Sequence, residues 1–288
     1  KNSGYSRELA MISWFGRVNY DYAGKYLFEA NIRADASSRF AKGHRWGYFP
    51  SFSAAWRISE EAFMEEAVGW LTDLKIRGSY GNLGNQSALS DFYPWMNSYD
   101  LDAHYSLNGS LQTGYHQKNY KIATISWEKA RTWGVGIDAT LFGKLTVGLD
   151  YYDRKTTGII MDVPVPAEFG LGAYKDNVGA MVNRGVELTL NYNESWDDWL
   201  FGVSANLAYN KNKVLYLDGV QSLADGDLKV KQVGAAYGTY RLYKTGGFFQ
   251  SDEEAKRWQE KHKNDAGYPF KRDFKAGDLI YMDTNEDG

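Results

Sequence analysis

The chain has 288 residues, with 33 Lys and Arg against 36 Asp and Glu, and no cysteine. A net charge of -3 without basic clusters argues against nucleic-acid binding, and the absence of cysteine excludes disulfides and thiolate metal sites. The mean hydropathy is -0.53 and no stretch approaches the ~18 consecutive apolar residues of a membrane-crossing helix, which leaves only strands to cross a bilayer.

Aromatic residues make up 16% of the chain, with 22 Tyr and 10 Trp. That content suits either the aromatic girdles of a membrane barrel or an aromatic sugar-binding surface. The first residues, KNSGYSREL, are no signal peptide, and the last, Asp287-Gly288, stop inside what reads as a motif. Both ends therefore read as cut from a longer protein.

From Leu9 to Tyr22 the even positions Ala10, Ile12, Trp14, Gly16, Val18, Tyr20 and Tyr22 share one face. Ala23-Gly24 turns the chain into Tyr26–Ala34, with Tyr26, Phe28, Ala30 and Ile32 apolar against Glu29, Asn31 and Arg33. Such alternation is the signature of a strand with one greasy face and one polar face. It returns at Phe52, Ala54, Trp56 and Ile58. Ser59 then suits the cap of a short helix running through Glu66. Leu74–Tyr80 alternates again, followed by a long irregular stretch from Gly81 to about Ile125.

Trp133, Val135, Ile137, Ala139 and Leu141 form the next greasy face. Phe142-Gly143-Lys144 turns into Leu145, Val147, Leu149 and Tyr151. A second long loop is expected over Thr157–Ala180, then strands at Val186–Tyr192 and Phe201–Tyr209 joined near Glu194–Asp198. The expected organisation is barrel strands with loops over 1–211. Residues 212–288 then form a long excursion with a surface helix at 251–263, which Ser251 and Glu254 frame as a capping box.

The eight strands are joined by connections of two alternating classes. Those near 23–24, 59–72, 142–144 and 194–198 are short, and those near 36–50, 82–125, 157–180 and from 212 onward are long. An outer-membrane barrel has short periplasmic turns and long extracellular loops. Tyr20, Tyr22, Tyr26, Tyr192 and Trp199 flank the short turns, where an aromatic girdle belongs. The fold class is thus all-β, an antiparallel up-and-down transmembrane β-barrel segment, with a soluble antiparallel sheet having one wet face as the alternative.

A set of motifs narrows this further. They are R-x-D-x-S-S-R-F-x-x-x-x-R-W-G-Y-F-P-S-x-S-A-x-W-R-I (Arg33 to Ile58), L-K-I-R-G-S-Y-G-N-L-G-N-Q (Leu74 to Gln86) and W-E-K-A-R-T-W-G-V-G-I-D (Trp127 to Asp138). D-Y-Y-D-R-K-T-T-G-I-I (Asp150 to Ile160), N-V-G-A-M-V-N-R-G-V-E-L (Asn177 to Leu188) and G-D-L-I-Y-M-D-T-N-E-D-G (Gly277 to Gly288) follow. In this order they resemble SusC/RagA-type TonB-dependent outer-membrane transporters of Bacteroidetes over nearly the whole chain. Ala36 departs from the family's usual Gly.

The resemblance implies a barrel of about 22 strands closed by an N-terminal plug. It implies import of oligosaccharides or peptides in the cell outer membrane, energised through the TonB complex and served by a SusD-like surface lipoprotein. About eight strands cannot themselves close such a barrel. A soluble or surface-exposed carbohydrate-binding β protein and a passive porin are the competing readings.

Trp46, Tyr93, Trp95, Tyr99, Tyr105 and Tyr115 are the loop rings available to stack on a sugar or pack a peptide. Holding the loops together is the alternative for each, and Arg39 and Arg45 read as braces of the first loop. Asp283, Asn285 and Asp287, followed by Gly288, match the first positions of a calcium loop. The bidentate acid that would complete it falls beyond the last residue. No cofactor is otherwise required. The histidines His44, His104, His116 and His262 lack metal-ligand spacing. No G-x-S-x-G, H-E-x-x-H or Walker pattern occurs; Asp and Glu are plentiful enough for a glycosidase pair but nothing selects one, and the chain is not read as an enzyme.

Overall fold

The computed structural model describes residues 4, 6–67, 69–117, 120–218, 222–224, 228–263 and 273–282. The chain forms two compact units, 1–223 with 231–237, and 224–230 with 238–288.

The first unit is built on one eight-stranded antiparallel sheet. Its strands are β1 (Met11–Tyr22), β2 (Tyr26–Ser37), β3 (Trp46–Arg57), β4 (Leu71–Asn85), β7 (Glu128–Leu141), β8 (Leu145–Val163), β9 (Tyr174–Trp196) and β10 (Trp199–Leu217). Each pairs with the next in sequence. A separate hairpin, β5 (Tyr99–Leu107) with β6 (Ser110–Gln117), is inserted between β4 and β7. Two turns use the same device. Ala23 and Gly24, then Phe142 and Gly143, are consecutive residues at positive φ, the twist that lets a tight turn follow right-handed strands.

One face of the sheet is greasy throughout. Register carries a single row through Tyr22, Tyr26, Trp56, Ile76, Ile137, Leu149, Leu188 and Leu207. Among the described residues nothing packs on this face as a second sheet: Trp14 is 69% exposed and Leu207 73%. A sandwich would bury this face, so the alternative of a soluble sheet packed on a partner layer fails. The row also runs obliquely to the greasy band. Tyr22 is the last residue of β1, whereas Leu207, at the other end of the row, lies eight residues from Trp199 at the turn end of β10. At ~3.3 Å per residue and ~4.8 Å per strand, that slide corresponds to a tilt of about 40°. Tilted strands under a level apolar band are what a membrane barrel requires.

Several expectations are corrected. Ser59–Glu66 is not a capped α-helix but two 3-10 turns, Ile58–Glu60 and Ala62–Ala67, and the Ser59 hydroxyl instead donates to Asp73 Oδ1 at 3.0 Å. The supposed irregular stretch after Gly81 contains the β5–β6 hairpin. The loops at 36–50 and 157–180 shrink to 38–45 and 164–173, because the ladders of β2, β3, β8 and β9 run past the residues in which alternation is legible. β10 likewise continues to Leu217, beyond 211.

The core lies at the long-loop end. Phe40, Phe49, Leu89, Ile125, Trp127 and Ile160 form a buried cluster. At the opposite end, Tyr26 Oη, Trp56 Nε1 and Lys25 Nζ donate to the Glu61 carboxylate at 2.7, 3.1 and 3.3 Å. These bonds, led by that of Tyr26, hold Glu61 below the usual carboxylate range.

In the second unit, helix α1 (Asp252–His262) is capped as its sequence predicts. The Ser251 hydroxyl accepts from Glu254 N at 3.2 Å, and the Glu254 carboxylate reaches back to Gln250 N at 2.7 Å. Phe249, Ala255 and Phe274 form its small core.

Candidate functional surfaces of the barrel wall

The face opposite the greasy band is concave and polar, enclosing a cleft of about 850 Å³ lined in part by Arg17, Glu29, Lys75, Arg77, Asp150 and Glu187. Its charges are paired along and across strands. Arg17 pairs with Glu29, which also accepts from Asn31 Nδ2 at 2.7 Å. Arg33 Nε meets Asp35 Oδ2 at 2.7 Å.

The centre is a four-membered network. Asp138 accepts from Lys75 at 2.9 Å and from Arg77 at 3.0 Å, and Arg77 also reaches Asp150 at 2.7 Å. Arg77 and Asp150 stand on β4 and β8, both opposite Gly136 of β7. A Cβ at residue 136 would sit 2.5 Å from the Asp150 carboxylate and 2.8 Å from Arg77 Cζ. Gly185 similarly makes room for the Tyr152 ring, which lies 2.6 Å from where its Cβ would be. Long polar side chains therefore lie flat along the wall over glycines, keeping the concave side wet and open.

Above this wall the sequence motifs converge on one buried node. Phe40 and Ile125 are fully buried. Trp127 Nε1 donates to the Arg45 carbonyl at 2.9 Å, and Arg45 Nε donates to the Phe40 carbonyl at 3.1 Å. Arg39 Nη1 donates to the Gln86 carbonyl at 3.2 Å. Both arginines brace the first loop, as their placement beside Phe40 predicts. Asn177 accepts from Ser126 N at 2.7 Å and donates to the carbonyls of Ser126 and Gly158 at 3.0 and 2.7 Å. Glu128 accepts from Ile160 N at 2.9 Å and Asn85 Nδ2 at 2.6 Å. The Ser-Ser-Arg-Phe, Gly-Asn-Gln, Trp-Glu-Lys, Thr-Thr-Gly-Ile-Ile and Asn-Val-Gly segments thus interlock through buried or half-buried bonds.

The candidate substrate rings do not form one site. Trp46 belongs to β3, not to a loop, and its register with Ala36 puts it on the greasy face beside Tyr48. Trp95 packs on the buried node, with Nε1 3.5 Å from the Ser38 carbonyl. Tyr93 is exposed in the segment between β4 and β5; its N–H donates to Asp91 at 3.1 Å. Burial would raise the Asp91 pKa, but its ion pair with Lys121 and the Tyr93 N–H outweigh that and lower it.

Tyr99 and Tyr115 meet edge-to-face on the β5–β6 hairpin, centroids 6.0 Å apart, and both are exposed. The register shift between Asp100 and Ala103 puts Tyr105, paired with Gln112, on the hairpin's other face, lying against Gly114. Sequence reasoning missed this pairing because the hairpin itself was read as irregular. Among the described residues no group of three His, Asp or Glu is arranged to hold a metal ion. Asp283, Asn285 and Asp287 lie outside the described residues.

Comparison with known proteins accords with this geometry. The family model described as TonB dependent receptor-like, beta-barrel, matches residues 2–284. The chain is 35% identical to TonB-dependent receptor P26 of Formosa agariphila over 254 residues, 84% of this chain and 25% of that protein. It is 34% identical to TonB-dependent receptor SusC of Bacteroides thetaiotaomicron over 224 residues, 76% of this chain and 22% of that protein. The structure of the RagAB peptide transporter superposes with a TM-score of 0.75 at 26% identity, over 85% of this chain and 27% of that one. The chain spans about a quarter of the length of the curated relatives it matches. Greasy tilted band, wet inner wall, interlocked loops and these matches together establish that the chain belongs to the TonB-dependent receptor-like β-barrel family of SusC/RagA kind, as wall strands of an outer-membrane barrel.

Proposed function

We propose that this chain forms part of the wall and extracellular rim of an energy-coupled outer-membrane importer. The importer takes up oligosaccharides or peptides together with a SusD-like surface lipoprotein. Energy comes from the TonB complex, and no catalysis is involved. The observation that carries this reading is the fold match to the RagAB peptide transporter over 85% of the chain. A polar concave wall suits passage of hydrated cargo. The exposed Tyr99 and Tyr115 rings suit stacking on a sugar face or packing on a peptide side chain. Tyr93 is a further contact at the same rim, whereas Trp95 serves the loop core and Trp46 the lipid-facing side.

The test uses the full-length protein that contains this chain, expressed in cells lacking it. Uptake of labelled oligosaccharides and peptides is followed before and after the proton gradient is collapsed. Saturable uptake that stops with the gradient supports the importer. Uptake that persists without the gradient identifies a passive porin and overturns it.

A further inference from the structure

The greasy face ends, on the long-loop side of β7–β10, in cations. Lys129 and Arg131 on β7, Lys155 on β8, Arg184 on β9, and Lys211 and Lys213 on β10 all fall on the outward-facing side of the register. Arg131 stands directly opposite Lys155, and Arg184 directly opposite Lys211. Like charges placed opposite each other across a strand pair destabilise a sheet. Among the described residues only Asp153 offsets them, through its 2.7 Å bond to Arg184 Nε. Among the described residues the side chains of Lys129, Arg131, Lys155, Lys211 and Lys213 have no ion-pair partner, and all but the half-buried Lys155 are exposed.

Height fixes what meets this patch. Immediately below it on the same face come Trp133 and Tyr151, ring centroids 5.5 Å apart, with Tyr80 and Tyr209 on either side. Below these come aliphatic residues such as Ile137, Leu149 and Leu188, before the rings of Tyr192 and Phe201 near the short turns. Apolar band, aromatic girdle, then cations is the order of acyl chains, interface and headgroups in a bilayer. At the level of Tyr48 and Trp46, the same outward face of β3 carries no charge, so the patch is local to β7–β10.

We infer that the outward face of β7–β10 at the extracellular rim is a binding site for the phosphate groups of an outer-leaflet glycolipid of the lipid A type. Arg131 offers a planar fork to a phosphate, and the lysines act as mobile point charges around it. A lipid phosphate seated between the two like-charged pairs removes the repulsion that the sheet otherwise carries. The lipid then fixes the rotation of β7–β10 in the leaflet.

The test uses the full-length protein in detergent, with defined bisphosphorylated lipid A as probe and native mass spectrometry as readout. Arg131→Gln, Lys155→Gln, Lys211→Gln and Lys213→Gln are combined, leaving the Arg184–Asp153 pair intact. Retention of lipid A is expected to weaken roughly fivefold per cation removed. Arg154→Gln, one residue from Lys155 but on the concave face, is expected to change nothing. Dephosphorylated lipid A is expected not to be retained, and millimolar inorganic phosphate is expected not to displace the lipid. If the combined variant does not show the heat-resistant mobility of a folded barrel, Lys211→Gln with Lys213→Gln on β10 alone carries the comparison. Equal retention by wild type and variant overturns the site. So do retention of the dephosphorylated lipid, loss in Arg154→Gln of the same size, and displacement by free phosphate.

Discussion

Arg77 of β4 and Asp150 of β8 are bonded at 2.7 Å across an intervening strand, over the bare backbone of Gly136. The glycine is there for space, since its φ is not in the left-handed region. Gly136→Ala would thrust a methyl group into both partners, and overpacking of this kind costs about 1–3 kcal/mol. Unfolding of the full-length barrel in detergent checks the cost. It is expected to shrink when Arg77→Ala is already present, because the clash partner is gone. An unchanged cost in that background would mean that the bridge is not what the glycine protects.

The direction of the two faces gives a second prediction. Leu188 lies mid-band on the greasy side of β9, and Thr189 next to it lies on the concave side. Leu188→Arg is expected to cost about 2–4 kcal/mol of barrel stability in vesicles, and Thr189→Arg about 0–1 kcal/mol. Folded and unfolded fractions in vesicles across a denaturant series measure both. Equal costs would remove the lipid-facing assignment.

The same two faces explain what the sequence showed and what it hid. Alternation was clear from Tyr26 to Ile32, from Trp133 to Leu141 and from Val186 to Tyr192, because one side of those residues meets lipid. Above the band both sides meet water or protein, and the ladder persists without the pattern. At Lys155 and Val182, or at Asp176 and Met161, residues are paired as firmly as lower down but alternate in no way that a periodicity reading detects. Hence β8 and β9 extended past their expected ends, and the β5–β6 hairpin, whose apolar residues Leu101, Leu107 and Leu111 are exposed, was not seen. The family motifs were legible as words, but their meeting at Phe40, Trp127 and Asn177 depends on contacts up to 82 residues apart. No local pattern encodes such contacts.

That node is itself testable. Asn177→Ala removes three hydrogen bonds that join the segment before β7 to β8 and β9. A loss of about 2–3 kcal/mol is expected, together with faster proteolysis between Gln86 and Trp127. Phe40→Ala, which empties a fully buried site, is expected to cost about 3–5 kcal/mol and to loosen the same segment. Uptake by folded protein at low temperature should survive either change. Abolished uptake with intact loops would assign these residues to cargo instead.

At the short-turn end, Glu61 ties the β1–β2 turn to β3 through Lys25, Tyr26 and Trp56. Its folded pKa lies below the ordinary glutamate value, so the carboxylate is better stabilised in the fold than in the unfolded chain. Its contribution is therefore present above the unfolded value of about 4.3 and is lost as pH falls through the folded one. Thermal unfolding of wild type and Glu61→Gln should differ at neutral pH and converge on acidification. A gap that widens towards low pH would reverse the sign and sink the assignment.

The last prediction separates the rings that can meet cargo from those that hold the loops. Tyr99 and Tyr115 share one face of an exposed hairpin, with His104 and Thr113 beside them on β5 and β6. Tyr105 faces the other way, and Trp95 is packed on the core below. A ring that stacks on cargo loses binding when truncated and leaves the fold intact, whereas a packing ring does the reverse. Tyr99→Ala with Tyr115→Ala is expected to raise the half-saturating cargo concentration about two- to tenfold with little shift of the unfolding transition, as loss of ring–cargo stacking worth about 0.5–1.5 kcal/mol implies. Trp95→Ala is expected to shift the transition and to leave the half-saturating concentration of the folded fraction unchanged. Tyr105→Ala, on the opposite face, is the internal control. If it weakens uptake as much as the double substitution, the hairpin acts through its position and not through the Tyr99–Tyr115 face.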